Sequence, residues 1–156
     1  GMKRAHIVVV TKCPNNLKKH EKDNIRQQLG IKPCQTLYFS RIAYAKHLCN
    51  RDGEIPLETI VDFTLVTGIA KPEPLVTYLK GKGFNFKHLK FADHHEFSQQ
   101  ELEALEQEAI ILTTEKDYVR LKAHQPLRSK LFYLPIRITI DTSEAFIEEV
   151  KNVMKP

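Results

Sequence analysis

The sequence predicts an α/β fold, a three-layer α/β/α arrangement with a mainly parallel sheet. Short apolar runs rich in β-branched residues alternate with helical segments along the 156 residues. Four of these runs end in clusters of polar or charged residues, as strands do where they feed loops that hold ligands. No internal repeat or low-complexity segment interrupts the alternation.

The elements follow in order. His6 to Val10 (HIVVV) reads as a buried strand ending at Thr11-Lys12. Leu17 to Leu29 is polar with strong helical propensity, closed by Gly30 as a C-terminal signal. Thr36 to Ala43 predicts a second strand, and Tyr44 to Pro56, with Asn50, Asp52, Gly53 and Pro56, a linker or exposed hairpin turn. Thr59 to Val66 predicts a strand, and Pro72 to Lys82 a helix with proline in its first turn and Leu75, Val76 and Leu79 on one face. Phe84 to Phe91 alternates as a strand and runs into Asp93-His94-His95. Ser98-Gln99-Gln100-Glu101 has the form of a capping box and opens a helix toward Glu108. Ala109 to Leu112 predicts a strand, Tyr118 to Ala123 a short helix, and Leu131 to Ile140 a strand that Pro135 assigns to an edge or bulge. Asp141 is expected to cap a last helix with Ala145, Phe146, Val150 and Val153 on its apolar side.

The length suits one ordinary domain, and 42% hydrophobic with 28% charged residues is the balance of a folded soluble chain. No run of about 18 apolar residues spans a membrane, and no apolar secretory core follows Gly1-Met2-Lys3-Arg4. Gly1 ahead of Met2 reads as a remnant of tag removal. Cys13, Cys34 and Cys49 form no C-x-x-C pair, so the reading is of structural or incidental thiols in a reducing cytoplasm. The formal charge of +5 favours an anionic partner: phosphate or an acidic membrane surface. Nucleic acid is not expected, since the basic residues are scattered and lack an aromatic stacking motif.

Chemistry is expected at four strand ends gathered along a single rim of the sheet: Thr11-Lys12, Thr67-Gly68, Asp93-His94-His95 and Thr114-Glu115-Lys116-Asp117. An Asp-His pair can hold a proton relay, with the carboxylate fixing the tautomer, or ligate a metal. Gly68 permits a tight βα turn or close backbone approach. Lys116 can meet a phosphate as a point charge with Glu115 or Asp117 orienting it, although Asp117 serves equally as a cap for the helix beginning at Tyr118. A phosphate-binding loop G-x-x-x-x-G-K-[ST] is absent from these residues.

Taken together, Val9-Val10-Thr11-Lys12, Thr67-Gly68-Ile69-Ala70-Lys71-Pro72, Phe91-Ala92-Asp93-His94-His95-Glu96-Phe97-Ser98 and Thr113-Thr114-Glu115-Lys116-Asp117 resemble the C-terminal half of the tetraacyldisaccharide 4'-kinase family, from about Arg4 to about Val150. The resemblance implies the C-terminal lobe of a P-loop kinase that transfers the γ-phosphate of ATP, with Mg²⁺, to the 4'-hydroxyl of the lipid A disaccharide precursor. It implies work at the cytoplasmic face of the inner membrane, peripheral to it. The partner it implies is an N-terminal P-loop domain that these residues lack, so the chain alone is expected to be inactive and to hold no bound ATP or Mg²⁺. Asp93-His94 matches the family's Asp-His motif: His94 is the expected catalytic imidazole, supporting an acidic residue of the other half, and Asp93 orients it or joins the metal's outer shell. Thr11-Lys12 is similar to a base-reading segment of P-loop enzymes and implies an adenine contact. Gly68 and Lys116 carry over by position as nucleotide-binding, and Lys71 stands where the family often carries Asn. No residue is assigned as a metal ligand.

The resemblance divides the chain into 1–56, a strand–helix–strand segment and linker left from the nucleotide domain, and 57–156, the C-terminal α/β lobe. Thr59 to Val150 is then the expected compact region. Two other readings compete. One is a metal-dependent phosphoesterase using Asp93, His94 and His95, with His88 and Asp117 recruited. The other is a non-catalytic module for anions or lipid.

Overall fold

The computed structural model describes residues 4–154; the Gly1-Met2 junction and the extreme ends of the two expected segments lie outside the described residues. The chain forms two compact units. Tyr44–Pro135 makes one, and the described residues through Ala43 join those from Ile136 onward to make the other.

Tyr44–Pro135 is the layered α/β body. Its elements are β3 (His47–Cys49), β4 (Glu54–Pro56), a 3-10 turn at Leu57–Thr59, β5 (Thr64–Thr67), α2 (Glu73–Gly81), β6 (Lys87–Lys90), α3 (Gln99–Glu106), β7 (Ile111–Thr113), α4 (Glu115–Leu121), a 3-10 turn at Gln125–Leu127 and β8 (Leu131–Tyr133). The sheet has six strands in the order β4-β3-β8-β7-β5-β6. The pairs β5–β6, β5–β7 and β7–β8 are parallel, whereas β3 pairs antiparallel with both β4 and β8.

Strand alternation explains the two helical layers. Neighbours on a strand face opposite ways, and here both directions are apolar. Leu65, Leu112 and Phe132 meet Leu75 and Leu79 of α2, with Leu48, Leu57 and Phe63 in the same cluster. Val66, Ile111 and Leu131 meet Leu105 of α3 and Leu121 of α4, with Leu127. Each fully buried leucine among these contributes about 1.5–3 kcal/mol. The chain goes from β5 through α2 outward to β6, then returns through α3 to β7 on the other side of β5. The direction of winding therefore reverses between β5 and β7, and a crevice opens beyond the carboxyl ends of strands at such a reversal.

The other unit contains β1 (Ile7–Val10), α1 (Lys19–Gln28), β2 (Thr36–Tyr44), β9 (Ile136–Ile140) and α5 (Ser143–Val153). Its sheet runs β1-β2-β9, with β1 and β2 parallel. Asp141 forms ion pairs with Lys22 and Arg41, and the Tyr38 hydroxyl donates to Glu149 at 2.6 Å. Those two cations, Lys22 first, hold the Asp141 carboxyl below its ordinary range.

Several boundaries differ from expectation, each for a local reason. The segment Tyr44 to Pro56 is a hairpin, but β3 joins the main sheet beside β8 and buries Leu48 and Cys49. The run Leu131 to Ile140 is two strands in different sheets, because Pro135 cannot extend the ladder. Residues from Ile136 therefore belong with the N-terminal elements, and the compact region is Tyr44–Pro135 instead of Thr59 to Val150. Asp141 does not cap α5: its carboxylate is taken by Lys22 and Arg41, and Thr142 holds the N-cap in a left-handed conformation with φ 53°.

Candidate functional site

The carboxyl ends of β5, β6 and β7 bring three of the four sequence clusters together. The fourth does not share that sheet. Thr11 and Lys12 follow β1, both exposed and Lys12 left-handed at φ 58°, and β1 lies in the β1-β2-β9 sheet. The four clusters therefore do not lie on one sheet, because β1 pairs with β2 and not with β5 to β8.

At the reversal, Gly68 follows β5 and its N–H donates to Asp117 Oδ2 at 2.9 Å. A Cβ on Gly68 would stand 3.1 Å from Asp117 Oδ1 and 3.4 Å from the Ala92 carbonyl oxygen. Glycine is required here by the close approach of β5 to α4 and not by an unusual φ. Asp117 is fully buried, and the Thr114 hydroxyl also donates to its Oδ2, at 2.7 Å. Thr114, not Asp117, caps the helix: its Oγ1 accepts from Asp117 N, and α4 begins at Glu115, earlier than Tyr118. Asp117 Oδ1 makes no hydrogen bond among the described residues; Arg120 Nη1 stands 3.5 Å away, within ion-pair reach but poorly aligned.

The segment after β6 turns sharply. His94 is left-handed at φ 61°, and its N–H donates to the Gly68 carbonyl at 3.3 Å. A non-glycine residue in this conformation costs about 1–3 kcal/mol, and such strain concentrates where a side chain must be presented. The presented ring is 71% exposed. Lys116 Nζ lies 3.1 Å from its Nε2, and Arg120 Nη2 lies 3.2 Å from its Nδ1. A neutral imidazole accepts at one nitrogen only, so one of these is a hydrogen bond and the other a close approach. Lys116 Nζ also donates to Asp93 Oδ1 at 3.0 Å, which with the approach of His94 holds the Asp93 carboxyl below its ordinary range. Asp93 Oδ2 is 3.8 Å from His94 Nε2, too far for a direct hydrogen bond. The aspartate therefore reaches the imidazole through Lys116.

His95 points elsewhere. Its ring stacks on Phe91 with centroids 4.8 Å apart and meets Phe97 edge-on at 5.2 Å. Its Nε2 lies 3.0 Å from Glu101 Oε2. Glu101 stands three residues after Ser98 in its capping box, and the Ser98 N–H, the His95 ring and the Ser98 hydroxyl hold its carboxyl down to about 2. His95 thus fixes the start of α3, and Asp93, His94 and His95 do not converge on one point. Glu115 is exposed at the first turn of α4.

Sequence reading missed Arg120. Its spacing of three from Asp117 and four from Lys116 was the available signal, since such positions share a helix face. The assembled cluster pairs two carboxylates with two cations around one exposed imidazole. Lys116 has three N–H donors, of which one goes to Asp93 and at most one to His94, leaving at least one for an incoming phosphate oxygen.

Comparison with known proteins bears on this arrangement. The sequence profile described as tetraacyldisaccharide-1-P 4'-kinase matches residues 1–155. The tetraacyldisaccharide 4'-kinase of Flavobacterium johnsoniae is 44% identical over 166 residues, covering 100% of this chain and 48% of that protein. That of Bacteroides thetaiotaomicron is 35% identical, covering 90% and 43%. The chain spans about half the length of the curated relatives it matches. Among solved structures, "apo" LpxK from Aquifex aeolicus in complex with ATP has a TM-score of 0.62 at 18% identity, covering 99% of this chain and 44% of that one, which shows a shared fold. No described helix is long and apolar enough to cross a membrane. A profile match that runs from residue 1 to 155 takes in every element described above, and the chain belongs to the tetraacyldisaccharide-1-P 4'-kinase family.

Proposed function

We propose that this chain supplies one wall of a phosphoryl-transfer site that carries the γ-phosphate of ATP to the 4'-hydroxyl of the lipid A disaccharide precursor. The observation that carries this reading is the Asp93–Lys116–His94–Arg120 cluster at the winding reversal. Phosphoryl transfer depends on positioning and on charge stabilisation, with little covalent work for the protein. Lys116 and Arg120 offer N–H donors for phosphate oxygens, and His94 stands between them as the imidazole that supports an acidic residue of the P-loop half. Asp93 positions Lys116, and Gly68 lets the βα turn approach the nucleotide. Thr11 and Lys12 are read as an adenine contact.

The phosphate cradle belongs to the P-loop half, whose G-x-x-x-x-G-K-[ST] motif these residues do not contain. Mg²⁺ accompanies ATP in the complete enzyme. This rim does not fit it as an inner ligand set, because Lys116 holds Asp93, and the Gly68 N–H and Thr114 hydroxyl hold Asp117. No step is assigned to a metal held here. The enzyme works at the cytoplasmic face of the inner membrane, where its lipid acceptor resides.

The phosphoesterase alternative is not favoured, since Glu101 and two aromatic rings engage His95 away from His94. The test is γ-phosphate transfer by protein containing both halves, with His94 present and replaced. Undiminished transfer without the imidazole would overturn the assignment.

A further inference from the structure

We infer that His47, Cys49 and Glu54 form a Zn²⁺ site on the β3–β4 hairpin, with a solvent molecule as the fourth ligand. Residues two apart on a strand share a face, so His47 and Cys49 project together from β3. Glu54 is the direct cross-strand partner of Cys49 on β4, which brings a carboxylate to the same face. The three ligand atoms all lie within 4.8 Å of one another. Glu54 Oε1 is 3.7 Å from His47 Nε2 and 3.8 Å from Cys49 Sγ. Around a tetrahedral Zn²⁺ with bonds of about 2.0–2.3 Å, ligand atoms stand roughly 3.3–3.8 Å apart. Two of the three edges already have that length.

Donor chemistry selects the ion. One imidazole, one thiol and one carboxylate make a mixed N/S/O set, which suits Zn²⁺ and not the all-oxygen preference of Mg²⁺ or Ca²⁺. The hairpin holds the ligands in register: the Asn50 side chain accepts from Asp52 N at 2.9 Å and Gly53 N at 3.0 Å, and Asn50 N donates to the Gly53 carbonyl. Tyr133 on β8 is the register partner of Cys49, so the two side chains leave the same face of the sheet. The Glu54 side chain is 66% exposed and that of His47 30%, so an ion reaches the face from solvent. Zn²⁺ displaces the thiol proton on binding: Cys–SH and Zn²⁺ give Cys–S–Zn⁺ and one released H⁺. The ion would tie the two hairpin strands together beside β8.

The experiment titrates the metal-free chain with Co²⁺, then with Zn²⁺, and follows absorbance and melting temperature. One equivalent of Co²⁺ should produce a thiolate-to-metal charge-transfer band, Zn²⁺ should displace it, and Zn²⁺ should raise the melting temperature. Cys49→Ser should abolish the band. His47→Ala and Glu54→Gln, the latter at an exposed side chain, should each weaken binding by about tenfold or more. Cys13→Ser, Cys34→Ser and His94→Ala should leave the titration unchanged, which separates this face from the rim. No stoichiometric band, a band that survives Cys49→Ser, or binding unaffected by both His47→Ala and Glu54→Gln would overturn the proposal.

Discussion

Replacing Asp117 by alanine should destabilise the Tyr44–Pro135 unit more than most single changes in this protein. The carboxylate is fully buried, accepts from the Gly68 N–H and the Thr114 hydroxyl, and faces the guanidinium of Arg120. Removing it leaves the Gly68 N–H without an acceptor and takes away the carboxylate that the buried Arg120 Nη1 faces. Breaking a buried pair from one side costs about 3–5 kcal/mol. For a chain of this length 1 kcal/mol shifts the melting temperature by about 2–4 °C, so the expected fall is roughly 6–20 °C. Asp117→Asn keeps the shape and one acceptor oxygen, but turns an NH₂ toward either Arg120 or Gly68. Its cost is about 1–3 kcal/mol, and its melting temperature should lie between wild type and alanine. Thermal unfolding followed by circular dichroism measures all three proteins. A fall of less than about 2 °C for Asp117→Ala would refute the view that this carboxylate ties β5 to α4.

Gly68→Ala approaches the same contact from the other strand. Its Cβ would meet Asp117 Oδ1 at 3.1 Å, and the overpacking should cost about 1–3 kcal/mol in urea unfolding. Glu101 predicts a loss of stability in acid. Its folded-state pKa of about 2 lies below the ordinary 4.5, so its contribution is complete above about 4.5 and disappears as the pH falls through about 2. Acid unfolding of wild type against Glu101→Gln measures this: between pH 4.5 and 2 the wild type should lose stability that the variant lacks throughout.

The layered architecture was legible because strand runs and helix signals agree locally. Ser98 and Glu101 form the capping box their spacing predicts, and Gly68 sits where a side chain would collide with its surroundings. What failed was long-range. Nothing local in Leu131 to Ile140 says that the two sides of Pro135 join different sheets, and nothing in HIVVV says which sheet it enters. Asp141 has the sequence form of an N-cap, but cations more than 100 positions away in the chain, or 100 in the case of Arg41, take its carboxylate. At the site, adjacent histidines of equal promise are separated by environment alone. His95 meets Phe91, Phe97 and Glu101, and His94 takes the strained left-handed turn that presents it beside Lys116. Arg120 escaped notice because its role depends on the buried position of Asp117, which polarity argued against.

The most direct measurement is turnover of γ-labelled ATP with the lipid disaccharide acceptor, using protein in which this chain is joined to a P-loop half. His94→Ala should lower kcat by about 10²–10⁴-fold, the range for loss of a proton-handling group, with the KM for ATP changed far less. Wild-type kcat in that variant, or transfer catalysed by these 156 residues alone, would contradict the account.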